Sequence, residues 1–297
     1  MPEANSAKRL KVNCRPARQE DTPDVLELTR TIWDGEDYIP YVWQDWLADP
    51  QGRLAVAEYE GRVLGLGKLT RLSEDDWWLE GLRVHPEYQG HGIASQLNEY
   101  LVEYWLENGG GIVRLATSSA RLPVHHLCER LGFQKIGEFT PFVAQVIEGK
   151  SDQPGFQLMT EAEVPEGITF ALQSPSLALS FGLMDLGWQW APPMEKYLLK
   201  PVKSGNAWWW RGREGLLAVY IDEYEKQVYM PIIQLVACSL EKLAECLQDY
   251  RRLAAQPGYA KAVWFPPLVA EMAPILEQAG FQRDWEHAMV LYARKHL

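Results

Sequence analysis

"LRVHPEYQGHGIASQL", residues 82–97, sets a proline and two glycines between two apolar stretches. It is too glycine-rich for a helix interior, where glycine costs about 1 kcal/mol relative to alanine. It is also too short for a linker between domains. Upstream, "DDWWLEGLRV" (75–84) reads as a strand. From Ile93 the apolar period lengthens, and Ile93, Leu97, Leu101, Tyr104 and Trp105 form one helical stripe. A strand therefore ends, turns through bare backbone and restarts as a helix across residues 85–92.

A bound anion explains such a turn. A helix N-terminus presents unpaired N–H groups and the positive end of the helix dipole. Glycines remove the side chains that would hold a phosphate at a distance. Gly90 and Gly92 open the turn, and the amides from Gln89 through His91 and Ile93 to Ala94 face the anion. The spacing is not GxGxxG and no Lys-Ser/Thr follows, so neither a dinucleotide site nor a P-loop fits. Taken alone, the stretch is equally a turn that simply needs glycine.

The surrounding chain alternates helix and strand. Thr22 is placed to cap a helix with Pro23 in its first turn, followed by Val25, Leu28 and Ile32 on one face. "RLAVAEYEGRVLGLGKLTRL" (53–72) reads as a hairpin around Glu60-Gly61, and "GIVRLATS" (111–118) as a further strand. "PVHHLCERLGF" (123–133) reads as a short helix stopped at Gly132. Glu148–Gly155 has the charge, Ser, Pro and Gly of a domain junction. Beyond it, "ILEQAGFQR" (275–283) replays "LCERLGFQK" (127–135), and "EGLLAV" (214–219) replays "EGRVLG" (60–65). The replay stops at the loop: "VYMPIIQLVACSLEKLAECL" (228–247) holds no glycine.

With 297 residues the chain suits two domains, and no apolar run approaches a membrane span. "MPEANSAKRL" lacks the apolar core of a secretion signal. Cys14, Cys128, Cys238 and Cys246 form no CxxC pair, so neither a zinc site nor a disulfide framework is expected, and a reducing cytoplasm fits. A net charge of −11 argues against a nucleic-acid partner.

Val84-His85-Pro86 followed by Gln89-Gly90-His91-Gly92-Ile93-Ala94 resembles the acetyl-CoA signature of the GNAT superfamily of N-acetyltransferases, Gln/Arg-x-x-Gly-x-Gly/Ala. "RPARQEDTPDVLEL" (15–28), the central hairpin and "LCERLGF" (127–133) are similar in the same order, so the resemblance spans 12–146. It implies an α/β fold on a mixed sheet, with acetyl-CoA as cosubstrate and no metal. It also implies that Leu82, Arg83 and Val84 meet the pantetheine and the acetyl oxygen, while residues 89–95, Ser95 included, hold the pyrophosphate. The second half resembles a duplicated copy that has lost its cofactor loop. The expected organisation is an acetyl-CoA-binding GNAT domain over 1–150 and a degenerate GNAT-like domain over 151–297.

Acetyl transfer to an amine needs a base, a polarised thioester and a proton for the leaving thiolate. By alternation Asp76, Trp78 and Glu80 share one strand face. Glu80 is the expected general base and Asp76 the second candidate; the alternative is a solvated edge carboxylate. Where the family often carries a Tyr, four residues before the closing "GF", this chain has Cys128. Cys128 is then either the acid or a small buried hydrophobe. His125 and His126, one turn earlier, are further proton sources or plain surface histidines. Arg121 falls where the family places a pantetheine-contacting Asn, and could meet a phosphate or a carboxylate instead.

"DYIPYVWQDWLADPQG" (37–52) together with Glu80-Gly81-Leu82-Arg83-Val84 is similar to the histidine N-acetyltransferase branch. Asp37, Tyr38, Tyr41, Trp43 and Trp78 would form an aromatic acceptor pocket suited to a ring or an aliphatic cation. Each aromatic has core packing as its alternative, preferred for the "WWW" run at 208–210. The implied partner is a small-molecule primary amine, such as an amino acid. The competing class is an acetyl-CoA-binding sensor or scaffold without turnover.

Overall fold

The computed structural model describes residues 9–30, 32, 35–148, 155–224 and 228–296; apart from its two ends, the expected junction at Glu148–Gly155 lies outside them. The first half runs β1 (Asn13–Pro16), α1 (Thr22–Arg30), α2 (Ile39–Ala48), β2 (Arg53–Tyr59), β3 (Arg62–Arg71), β4 (Asp76–Val84), α3 (Ile93–Asn108), β5 (Ile112–Ser118), α4 (Leu122–Arg130), β6 (Gln134–Phe139) and β7 (Phe142–Gln145). The second runs β8 (Phe156–Leu158), α5 (Val164–Gln173), α6 (Pro175–Leu179), β9 (Met184–Asp185), β10 (Trp190–Ala191), α7 (Glu195–Lys203) and β11 (Ala207–Trp210). It continues with β12 (Gly215–Tyr224), β13 (Val228–Cys238), α8 (Leu240–Ala255), β14 (Lys261–Trp264), α9 (Met272–Ala279), β15 (Gln282–Arg283) and β16 (Met289–Lys295). No described helix is long and apolar enough to cross a membrane.

Local chemistry accounts for most boundaries. Glu60 and Gly61 both take left-handed φ, which suits the right-handed twist of the β2–β3 hairpin. Gly132 and Gly280, the replayed glycines, both have φ of 77° just past α4 and α9. The expected cap at Thr22 is replaced by one at Arg18, because a short turn over Gln19–Asp21 leads into the helix. Asp21 accepts the Arg18 N–H at 2.7 Å, and Thr22 sits inside the helix, where its hydroxyl accepts the Trp43 indole N–H at 2.9 Å.

Two mixed seven-stranded sheets share one plan. Their orders are β1-β2-β3-β4-β5-β16-β6 and β8-β11-β12-β13-β14-β7-β15. Strand for strand the second repeats the first, except that the two penultimate strands are exchanged. The chain forms two compact units: residues 1–115, 123–134 and 292–297, and residues 116–122 and 135–291. A single boundary near 150 is therefore replaced by an interleaved division. The cause is local. Only Thr140-Pro141 separates β6 from β7, with no left-handed residue to reverse the chain, so β7 cannot fold back as a hairpin. The closing strand of the first sheet is supplied by β16 instead.

Both faces of the second sheet are covered. Trp209 packs in the cluster containing Val164 and Leu198, while Trp210 packs in the cluster containing Leu243 and Leu247 and donates its indole N–H to Asp249 at 3.0 Å. The adjacent tryptophans are core on opposite faces, as strand alternation requires.

Candidate active site

The β4–β5 ladder is short. Its parallel pairs run from Asp76↔Ile112 to Trp78↔Arg114, so the edge of β4 from Leu79 to Val84 has no ladder partner there. On its other edge β4 is bulged. Lys68 faces Glu80 and Leu66 faces Arg83, so Gly81 and Leu82 together oppose the single residue Gly67. Gly81 has φ +67°, and a Cβ on it would lie 2.6 Å from the Trp46 ring, so glycine is needed twice over.

The bulge sends Arg83 inward. Its Nε and Nη2 donate to Asp37 Oδ2 and Oδ1 at 2.8 and 3.0 Å, with both side chains buried. Asp37 also accepts the Ile39 N–H at the start of α2, at 3.2 Å. The pair fixes the bulged strand to that helix. Asp37 is thus committed to Arg83 rather than lining an acceptor pocket, and Arg83 could meet a cofactor only through its backbone.

Glu80 remains half-buried and accepts the Thr70 hydroxyl at 2.5 Å. Lys68, opposite it in register, turns away to pair with Asp49. Asp76 is ion-paired with Arg114 across β4–β5, which commits its carboxylate to that pair. Tyr38 is partly exposed, packs edge-on to Trp46 with centroids 6.1 Å apart and has Arg83 5.4 Å from its ring centre. Burial pushes its phenol up to about 12, and the charge of Glu80 pushes the same way. Tyr38 therefore stays neutral within electrostatic reach of Glu80.

The other expected wall residues disperse. Trp43 and Trp78 are buried, and Trp43 spends its indole N–H on Thr22, so both are core. Tyr41 points to solvent. Cys128 is buried among core residues, with burial raising its thiol to about 12, which removes it as an acid. His126 is exposed beside Glu129, whereas His125 Nδ1 lies 2.9 Å from the Tyr292 hydroxyl. Arg121 is exposed just before α4.

The glycine loop has the geometry of an anion cradle. His85 starts a short turn over Pro86–Tyr88, and Gly90 and Gly92 take φ of 82° and 78°. Gly92 leads directly into α3, which has no side-chain cap and no acidic residue in its first turn. His91 contributes its carbonyl to Leu10 N at 3.0 Å, which ties the chain before β1 to the loop. A Cβ on Gly90 would meet only open space, while one on Gly92 would lie 3.2 Å from the Arg9 side chain. Ile93 is buried, whereas Ala94 and Ser95 are half-buried at the start of the helix. In the second half β13 reaches α8 through Ser239 alone, and Glu241 occupies the first turn of that helix. Among the described residues no His, Cys, Asp and Glu group could hold a metal ion.

Two contributors escaped the sequence reading. Arg9 offers a cation beside the loop, but it lies far from the motif in sequence. Thr70 orients Glu80 across a strand pair, and only the hairpin register reveals that.

Residues 20–133 match the acetyltransferase (GNAT) family. In structure, the chain is similar to the tandem GNAT protein from the clavulanic acid biosynthesis pathway. The TM-score is 0.60 at 12% identity, covering 97% of this chain and 99% of that one. The family match thus lies in the first half of the chain, and over the rest the likeness is one of fold. Among curated proteins, the GNAT domain is 31% identical over 104 residues to histidine N-acetyltransferase of Oreochromis niloticus, covering 35% of this chain and 30% of that protein. It is also 31% identical over 84 residues to N-acetylaspartate synthetase of Danio rerio, covering 28% of this chain and 30% of that protein. The matched stretch thus spans under a third of the length of these relatives.

Proposed function

We propose that the first GNAT domain transfers the acetyl group of acetyl-CoA to the primary amine of a small molecule, with an amino acid as the favoured acceptor class. The observation that carries this is Glu80, an oriented carboxylate on the unpaired edge of β4, just before the bulge. The uncapped start of α3, the left-handed glycines and Arg9 fit a pyrophosphate. Two relatives are named for acetylated amino acids, which supports the acceptor class.

Acetyl-CoA supplies the activated acyl group when bound. The amides of residues 90–95 and the Arg9 guanidinium bind its phosphates, that of Gln89 being held by the Pro86 carbonyl, and the backbone of Leu82–Val84 extends along the acyl arm. Glu80 takes a proton from the acceptor ammonium, directly or through water, so that the free amine attacks the carbonyl carbon. The C–N bond forms as the C–S bond breaks. The departing thiolate takes a proton from water or from the His125–Tyr292 pair, because Cys128 is buried in the core. Tyr38 closes the acceptor side next to Glu80.

That interior Cys128 also favours a second reading, an acetyl-CoA-binding sensor without turnover. Free-thiol release from acetyl-CoA across an amine panel, histidine and aspartate included, separates the two. Transfer predicts amine-dependent release with acetylated product. Coenzyme A binding without such release would leave only the sensor.

A further inference from the structure

The β9–β10 hairpin turns through Gly187 and Trp188, both at positive φ, 86° and 68°. A tryptophan there is strained by about 1–2 kcal/mol. Asp185 holds the turn, its Oδ1 accepting the N–H groups of Gly187 at 2.8 Å and Trp188 at 3.0 Å. The Trp188 ring stacks on Trp285 at 5.3 Å and meets Phe265 at 5.1 Å, which leaves an aromatic cluster partly open to solvent.

A small cavity adjoins this turn, lined by Asp185, Gln234, Ser180, Trp190, Trp264 and Phe265 among others. Its free volume of about 10 Å3 suits one water-sized guest. The polar lining is one-sided. Asp185 is buried and makes no ion pair among the described residues; its Oδ2 accepts the Tyr220 hydroxyl at 3.3 Å. Gln234 Oε1 is buried with no hydrogen-bond partner among the described residues. Burial raises the Asp185 carboxyl to about 7, with the charge of Asp222 acting in the same direction. The site offers acceptors, aromatic faces and, above about pH 7, a negative charge, with no cation among the described lining residues.

Its place in the fold has a counterpart. Leu235 pairs with Ala218 and Ile233 with Val219, so Gln234 is the bulged residue of β13, as Gly81-Leu82 is of β4. The β13–β14 ladder ends at Ile233↔Trp264, and the cavity lies just past that point. The second copy keeps the opening at its strand divergence while losing the phosphate loop.

We infer that the second domain binds the protonated amine head of a small organic cation in this cavity, between Asp185, the Gln234 carbonyl and the aromatic walls. The guest's head takes the one free position, and its tail leaves along Phe265 towards Trp188 and Trp285. The inference holds whether or not the first domain turns over.

Calorimetric titration of the full chain at pH 8 with n-propylammonium, and with n-propanol as neutral control, tests it. The expected result is an amine-binding component of one per chain that the alcohol lacks and that is weakened at least tenfold in Asp185→Asn and in Gln234→Leu, whatever else the first domain binds. Gln234→Leu breaks no side-chain hydrogen bond among the described residues, so it keeps the test valid if Asp185→Asn misfolds. Amine bound in the first domain survives Gln234→Leu, so the lost component reads this cavity. Coenzyme A affinity should be unchanged in Gln234→Leu. No amine heat, equal binding of the alcohol, or an amine titration that Gln234→Leu leaves unchanged in every component would each overturn the inference.

Discussion

Ending the chain at His287 removes β16, the strand between β5 and β6 in the first sheet. Val290, Leu291 and Tyr292 are each at most 5% exposed. Burying a side chain of this size stabilises by about 1.5–3 kcal/mol, so the three together contribute roughly 5–9 kcal/mol, an upper range for a compact unfolded state. A domain's whole stability is about 5–15 kcal/mol. Two sheet edges are exposed as well, which invites aggregation. The shortened chain should therefore lose cooperative unfolding in urea and lose coenzyme A binding by calorimetry, although every residue of the glycine loop is still present. The point variant Leu291→Ala should cost about 2–5 kcal/mol and keep the fold. A chain ending at 287, or at 150, that unfolds at the full-length midpoint and binds coenzyme A normally would refute the exchanged-strand topology.

Gly92→Glu should abolish coenzyme A binding, by charge against the phosphates and by a side chain forced into left-handed backbone against Arg9; calorimetry reads the affinity, and circular dichroism should show the fold retained. Asp37→Ala strands the buried Arg83 guanidinium and should destabilise by about 3–5 kcal/mol in urea titration; a change below about 1 kcal/mol would remove its pinning role. Burial alone would raise the Asp49 carboxyl, but hydrogen bonds from Lys68 and the Gln51 backbone outweigh it and hold the group below its ordinary value. Its contribution is thus present above the unfolded carboxylate pKa, near 4, and fades as pH falls through the lower folded value. The melting-temperature gap between wild type and Asp49→Asn should accordingly be constant from pH 7 to 5 and narrow below pH 4. A gap that widened on acidification would contradict the pairing.

The local half of this architecture was legible in the sequence. Glycines at 90, 92, 132 and 280 mark their turns because few other residues tolerate positive φ there, and the Ile93–Trp105 stripe shows the buried face of α3. The duplication showed through two short matches and holds strand for strand. The exchange of β7 and β16 left only the absence of a hairpin turn at Thr140-Pro141, which does not say which strand takes the place of β7, since pairing across such separations depends on which free edge a strand meets. Trp43 and Trp78 misled because an aromatic that walls a pocket and one that fills a core look alike until burial is known. Asp37 misled in the same way: its partner Arg83 is set by a bulge, and Gly81 hints at the bulge without saying which side chain it turns inward.

Glu80 as general base is the claim on which the proposed transfer rests, and the pH–rate profile of Glu80→Gln against wild type tests it most directly. Thiol release from acetyl-CoA at saturating amine should fall by ~10²–10⁴ at pH 7, typical of a lost general base. The deficit should shrink towards pH 9–10, where more of the acceptor amine is already neutral, while acetyl-CoA affinity stays unchanged. Parallel profiles with an undiminished rate at pH 7 would contradict the assignment.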